Sequence, residues 1–151
     1  MLRTRLNDAL KDAMKAKDKC ATATLRLILA ALKDRDIASR TNGSNDGVGE
    51  DQILELLQKM IRQRRESIAA YEKGGRADLV QKEEEEITVI QRFLPKPLSE
   101  TETRDAIEGV ISELEASTIK DMGKVMGTLK QRYPGRMDFG KASNLVKQAL
   151  V

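Results

Sequence analysis

Of the 151 residues none is histidine or tryptophan, one is cysteine, three are proline, and two tyrosines and two phenylalanines are the whole aromatic complement. Each scarcity removes a class of chemistry. Without histidine there is no Ser-His-Asp or Cys-His catalysis, no His-liganded zinc and no His-containing carboxylate di-iron bundle. A single cysteine leaves no disulfide framework and no Cys-x-x-Cys redox or zinc site. Cys20 reads as a small buried or half-buried residue, with a helix N-terminus as the one feature able to lower its thiol pKa. No run approaches the roughly 18 apolar residues of a membrane span. Leu27 to Leu32 is the longest apolar stretch.

What is present is charge and helical period. Lys and Arg number 27 against 24 Asp and Glu, a net charge of +3, with 34% of residues charged and 40% hydrophobic. The length suits one domain or a small pair. Met1 to Arg5 leads into amphipathic charge rather than an apolar signal core, and Asp8 and Asp12 argue against a mitochondrial transit peptide. A cytoplasmic chain without membrane association is therefore expected.

Apolar residues recur at spacings of three and four throughout, and no segment alternates with period two. Leu2, Leu6, Leu10, Ala13 and Met14 make one stripe. Leu25, Ile28, Leu29 and Leu32, flanked by Leu27, Ala30 and Ala31, make a second that is apolar on most sides and is expected at the centre of a bundle. Ser39 to Gly49 reads as a Gly/Asn/Ser loop. A third helix starts at Glu50 or Asp51 and carries Ile53, Leu57, Met60, Ile68 and Tyr71; Gly74 and Gly75 end it. A fourth starts at Asp78 with Val80, Ile87, Ile90 and Leu94, forming an antiparallel hairpin with the third. Pro95 and Pro97 break the pattern. Ser99 and Glu102 then fit a capping box for a fifth helix bearing Ile107, Val110, Ile111 and Leu114. Met122, Val125, Met126 and Leu129 mark a sixth, and Asp138 caps a seventh. The expectation is an all-α chain: an N-terminal bundle of about four helices over residues 1–96 and a smaller three-helix domain over 97–151.

Three constellations stand out. Arg64 lies about ten residues before the Gly74–Gly75 turn and Glu83 about eight after it, within about one helical turn of each other. A partly buried ion pair of Arg64 with Glu83 or Glu86 is expected, setting the register of two helices. The run Glu83 to Glu86 cannot share one helix face, and nothing nearby adds ligands for Mg²⁺. No metal or cofactor is expected. Gly123 and Gly127 sit four apart in a helix, at about 2 kcal/mol relative to alanines. That implies close approach, ordinarily to a neighbouring helix, otherwise to a ligand backbone. Around them lie Lys120, Lys124, Lys130, Arg132, Arg136, Lys141 and Lys147; residues 118–151 carry +5. This is a phosphate-binding face in prospect. It has only Tyr133 and Phe139 for stacking, which favours a folded RNA over a single strand.

The sequence resembles the GatB/YqeY family. The resemblance rests on Leu25 to Lys33, Gln63 to Ile68, Tyr71 to Leu79, Leu94 to Ser99 and Lys120 to Gly127, in order along nearly the whole chain. It departs from the family pattern at Glu115 and at Phe139, both commonly glycine. The resemblance implies kinship with the C-terminal helical and tail regions of the B subunit of tRNA-dependent amidotransferase, the part that handles tRNA. A family label of carbon–nitrogen ligase activity with glutamine as nitrogen donor comes with it. A stand-alone amidotransferase is not expected: the chain has no GxxxxGK[ST] loop, no Ser-Ser-Lys amidase arrangement and no glutaminase Cys–His pair. The expected function is a tRNA-binding accessory protein. The alternative is a helical module docking on an amidotransferase subunit or an aminoacyl-tRNA synthetase.

Overall fold

A computed structural model describes residues 1–41, 43 and 47–150. The chain is all-α, with no strand among the described residues. It divides into two compact units, Met1–Leu94 and Pro95–Val151.

The first unit holds α1 (Leu2–Lys15), α2 (Lys19–Arg40), α3 (Glu50–Lys73) and α4 (Ala77–Gln91). Its core joins Leu2 and Leu6 of α1, Leu25, Ile28 and Leu32 of α2, Ile53, Leu57 and Met60 of α3, and Ile87 and Ile90 of α4. Asp18 caps α2 by accepting from the Ala21 N–H at 3.1 Å. α2 runs through Ser39 and Arg40, where a loop was expected. Ser39 and Thr41 hydroxyls donate to the Asp36 and Ala38 carbonyls, both at 2.7 Å, satisfying the open end of its last turn. Gly43 and Gly47 to Gly49 are non-helical, as expected of the loop, and positions 42 and 44–46 lie outside the described residues.

The expectation that α2 is covered on most sides does not hold. Its inner face is buried, but Ala23, Leu27, Ala30 and Ile37 are exposed. Apolar residues around a helix indicate burial only when enough neighbours exist to cover them. The three other helices of this unit pack against one side.

The second unit holds α5 (Glu100–Glu113), a 3₁₀ turn (Ile119–Asp121), α6 (Met122–Arg132) and α7 (Phe139–Ala149). Ile107, Val110, Val125, Leu129, Met137, Ala142, Val146 and Leu150 form its core. Ser99 and Glu102 make the capping box in both directions, at 3.1 and 3.2 Å. Asp138 accepts from the Gly140 and Lys141 N–H groups at the start of α7. Leu114, assigned to the buried stripe of α5, is its C-cap and is exposed.

Candidate nucleic-acid interface

α6 buries Val125 and Leu129, which puts Gly123, Lys124, Gly127 and Lys130 on its open side. At about 100° per residue, Gly123, Lys124 and Lys130 fall within about 60° of Gly127. Lys120, in the 3₁₀ turn just before, is exposed too. A Cβ placed on Gly123 or on Gly127 would meet nothing within 4 Å. Among the described residues, packing against a neighbouring helix of the second unit is therefore not what these glycines serve. They leave a bare strip of backbone, with Lys120, Lys124 and Lys130 around it. No ion pair or side-chain hydrogen bond engages these three ammonium groups among the described residues, nor those of Lys141 and Lys147 on α7, which are exposed as well.

The two arginines of the predicted face are otherwise committed. Arg132 forks onto Glu113 of α5, with Nη1–Oε2 and Nη2–Oε1 both at 2.7 Å. The guanidinium holds the Glu113 carboxyl below its usual range, through their hydrogen bonds first and their charges second. Arg136 is half-buried and donates from Nε to the Lys96 carbonyl at 3.0 Å, while its own carbonyl accepts from the Leu98 N–H at 2.9 Å. It straps the segment before α5 onto the α6–α7 turn. Tyr133 and Phe139 are partly buried against the core, so neither is a free stacking surface.

Asp121 shapes the approach to α6. Its carboxylate accepts from the Ser117 and Thr118 N–H groups at 3.1 and 3.3 Å, which pulls its pKa below the ordinary aspartate value. These bonds fix the turn that carries Lys120.

In the first unit, Arg64 Nε lies 2.9 Å from Glu86 Oε2 and 4.0 Å from Glu83 Oε2. Arg64 and Glu86 side chains are only 13% and 14% exposed. Burial, and then the neighbouring Glu86 charge, push the Glu83 carboxyl up. One cation thus serves two carboxylates across the α3–α4 hairpin, and no group of three metal-ligating side chains converges among the described residues. Cys20 sits in the first turn of α2, yet burial pushes its thiol up rather than down. Desolvation outweighs the Thr24 hydroxyl, which acts to lower it.

Sequence reasoning missed a second polar junction. Arg3 of α1 forks onto Asp36 of α2 at 2.7 and 2.7 Å and also donates to the Val48 carbonyl at 2.9 Å; Asp36 accepts from the Val48 N–H at 2.9 Å. Nothing in the spacing of Arg3, Asp36 and Val48 announces it, because it depends on where α1 crosses the end of α2.

A family profile described as Yqey-like protein matches residues 3–150. Among known proteins the chain is similar to altered inheritance of mitochondria protein 41, mitochondrial, from several fungi. The Eremothecium gossypii protein is 39% identical over 89 residues, covering 59% of this chain and 46% of that protein. The Lachancea thermotolerans protein is 34% identical over 114 residues, covering 74% of this chain and 59% of that protein. The chain thus spans about half the length of these curated relatives. Their printed names overturn the expectation of a cytoplasmic protein, pointing to mitochondria instead. That expectation leaned on the charged start of the chain, including Asp8 and Asp12, which lie exposed on helix α1. With the match running through both helical units, the chain belongs to the YqeY-like protein family.

Proposed function

We propose that this chain is a tRNA-binding accessory protein, related to tRNA-dependent amidation, that engages RNA through the lysine-rimmed side of α6. One observation supports the reading above all: the open strip over Gly123 and Gly127, with Lys120, Lys124 and Lys130 uncommitted around it. Bare helix backbone admits a sugar-phosphate chain to van der Waals distance, and flexible ammonium groups suit phosphate as point charges. Tyr133 and Phe139 are turned to the core, which favours shape and phosphate contacts to a folded RNA over base stacking. The chain binds in this reading and does no chemistry of its own. The mitochondrial names of its relatives make organellar tRNA the first pool to examine.

Binding of labelled tRNA by fluorescence anisotropy tests this. Lys120→Glu with Lys124→Glu is expected to weaken binding at least tenfold. Gly123→Ala with Gly127→Ala separates stability from binding. The added methyls meet no neighbour and raise helix stability by up to about 1 kcal/mol each, so melting should rise while tRNA affinity falls. Equal affinity for tRNA and a random duplex, or no RNA bound at low salt, ends the reading.

A further inference from the structure

The outer face of α2 has an organisation of its own. Ala23, Leu27, Ala30, Asp34, Ile37 and Thr41 follow one another at alternating spacings of four and three, and all six are exposed. That is the spacing of the a/d seam of a coiled coil, and no described residue of this unit covers it. Leu27 is 50% and Ile37 49% exposed, and Met14, across the α1–α2 turn, is 45% exposed. Beside the seam, Arg26, Lys33 and Arg40 recur at spacings of seven, all exposed on the same flank. Seven residues return a helix to nearly the same angle, so these three cations form a rail along the seam, at the g positions when Leu27 is a. The opposite flank offers Ala31 and Ala38. At the start of the seam, Met14, Lys17, Asp18, Lys19, Thr22, Ala23 and Arg26 line a shallow groove with three cations to one carboxylate.

We propose that this face docks an amphipathic helix of a partner protein whose apolar seam is flanked by Asp or Glu. Charge selects the occupant. A second copy of α2 laid antiparallel would set Arg26, Lys33 and Arg40 against their own counterparts; laid parallel, it would set them against alanines. Neither arrangement neutralises the rail. An acidic flank does so in either direction. Ala23 and Ala30 let the partner backbone come close, while Leu27 and Ile37 supply the anchors. Asp34, the one charge in the seam, fixes register by demanding a cation or amide opposite it. The seam from Ala23 to Thr41 is about 28 Å long, enough for about five turns of a bound helix. This surface is on the first unit and is independent of the α6 lysines.

The test uses the full chain and two synthetic heptad peptides with leucine at a and d, one flanked by glutamate and the other by lysine. Calorimetric titration is expected to show binding of the glutamate peptide, with at least tenfold weaker binding of the lysine peptide. Leu27→Ser with Ile37→Ser should abolish it. Arg26→Glu, Lys33→Glu and Arg40→Glu together should invert the preference between peptides. All five residues are exposed, so circular-dichroism melting should change little. No binding of either peptide, equal binding of both, or dimerisation of the chain that Leu27→Ser disrupts would each overturn the proposal.

Discussion

Asp36 concentrates more polar contacts than any other carboxylate of the first unit described above. It takes the Arg3 fork and the Val48 N–H, and these hold its pKa at about 2 against an ordinary 3.8, with the Arg3 hydrogen bonds as the largest cause. A carboxyl whose folded pKa is depressed favours the folded state above its unfolded pKa. The contribution is fully present above 3.8 and is lost as pH falls toward 2. Arg3 is partly exposed, so solvent screening reduces the effect to on the order of 1 kcal/mol. Asp36→Asn should lower the unfolding free energy measured in urea by that amount at neutral pH and flatten the acid limb of the stability curve. Gly47 closes the same junction. Its φ is +82°, and a Cβ there would lie 2.7 Å from Arg3 Nη2 and 2.7 Å from Asp36 Oδ1. Gly47→Ala therefore combines backbone strain with a displaced ion pair, and should cost about 2 kcal/mol, more than Asp36→Asn.

At the scale of elements, three helices end in the same way. After α1, α3 and α5 the chain turns through a left-handed residue, Lys17 (φ 57°), Gly75 (φ 70°) and Glu115 (φ 52°). In each case the next N–H returns to the carbonyl five residues back: Asp18 to Ala13, Arg76 to Tyr71, Ala116 to Ile111. These are Schellman caps, and only one has the glycine that makes the left-handed conformation cheap. Lys17→Gly and Glu115→Gly should each raise stability by about 1 kcal/mol, read as a higher urea midpoint with no change in helical circular dichroism. Local signals of this kind explain what the sequence made legible. Helix stripes, the Ser99–Glu102 box and the Asp138 cap each lie within one or two turns, and turn counting from Gly74 and Gly75 suffices to bring Arg64 near the acidic run. The commitment of Arg132 to Glu113 was not legible, because it depends on how α5 crosses α6. Nor was the exposure of Leu27, since periodicity says that a face is apolar and not whether a neighbour remains to cover it.

Over the whole molecule the net charge of +3 conceals +5 in residues 1–40, −7 in 41–117 and +5 in 118–151. Within the second unit the division falls between helices. α5 and its flank carry Glu100, Glu102, Asp105, Glu108, Glu113 and Glu115, while the five open lysines belong to α6, α7 and the turn before α6. An RNA drawn to that unit meets attraction on one side and repulsion on the other, so charge orients it before any contact forms. The salt dependence of binding then counts the phosphates neutralised. Five lysines give a slope of log K against log salt of about −4.5, with each contact contributing about −0.9. Lys124→Gln and Lys130→Gln should each make the slope shallower by about 1, and Arg132→Gln should leave it unchanged, because Glu113 already neutralises that guanidinium at 2.7 Å. The reverse change is the more telling. Glu113→Gln releases Arg132 from its fork. Deleting one negative charge raises affinity for RNA whatever the geometry, but only a new phosphate contact steepens the slope. A slope more negative by about 1 in Glu113→Gln, abolished again by adding Arg132→Gln, would place the end of α6 inside the RNA footprint. An unchanged slope would confine the footprint to the lysines around Gly123 and Gly127.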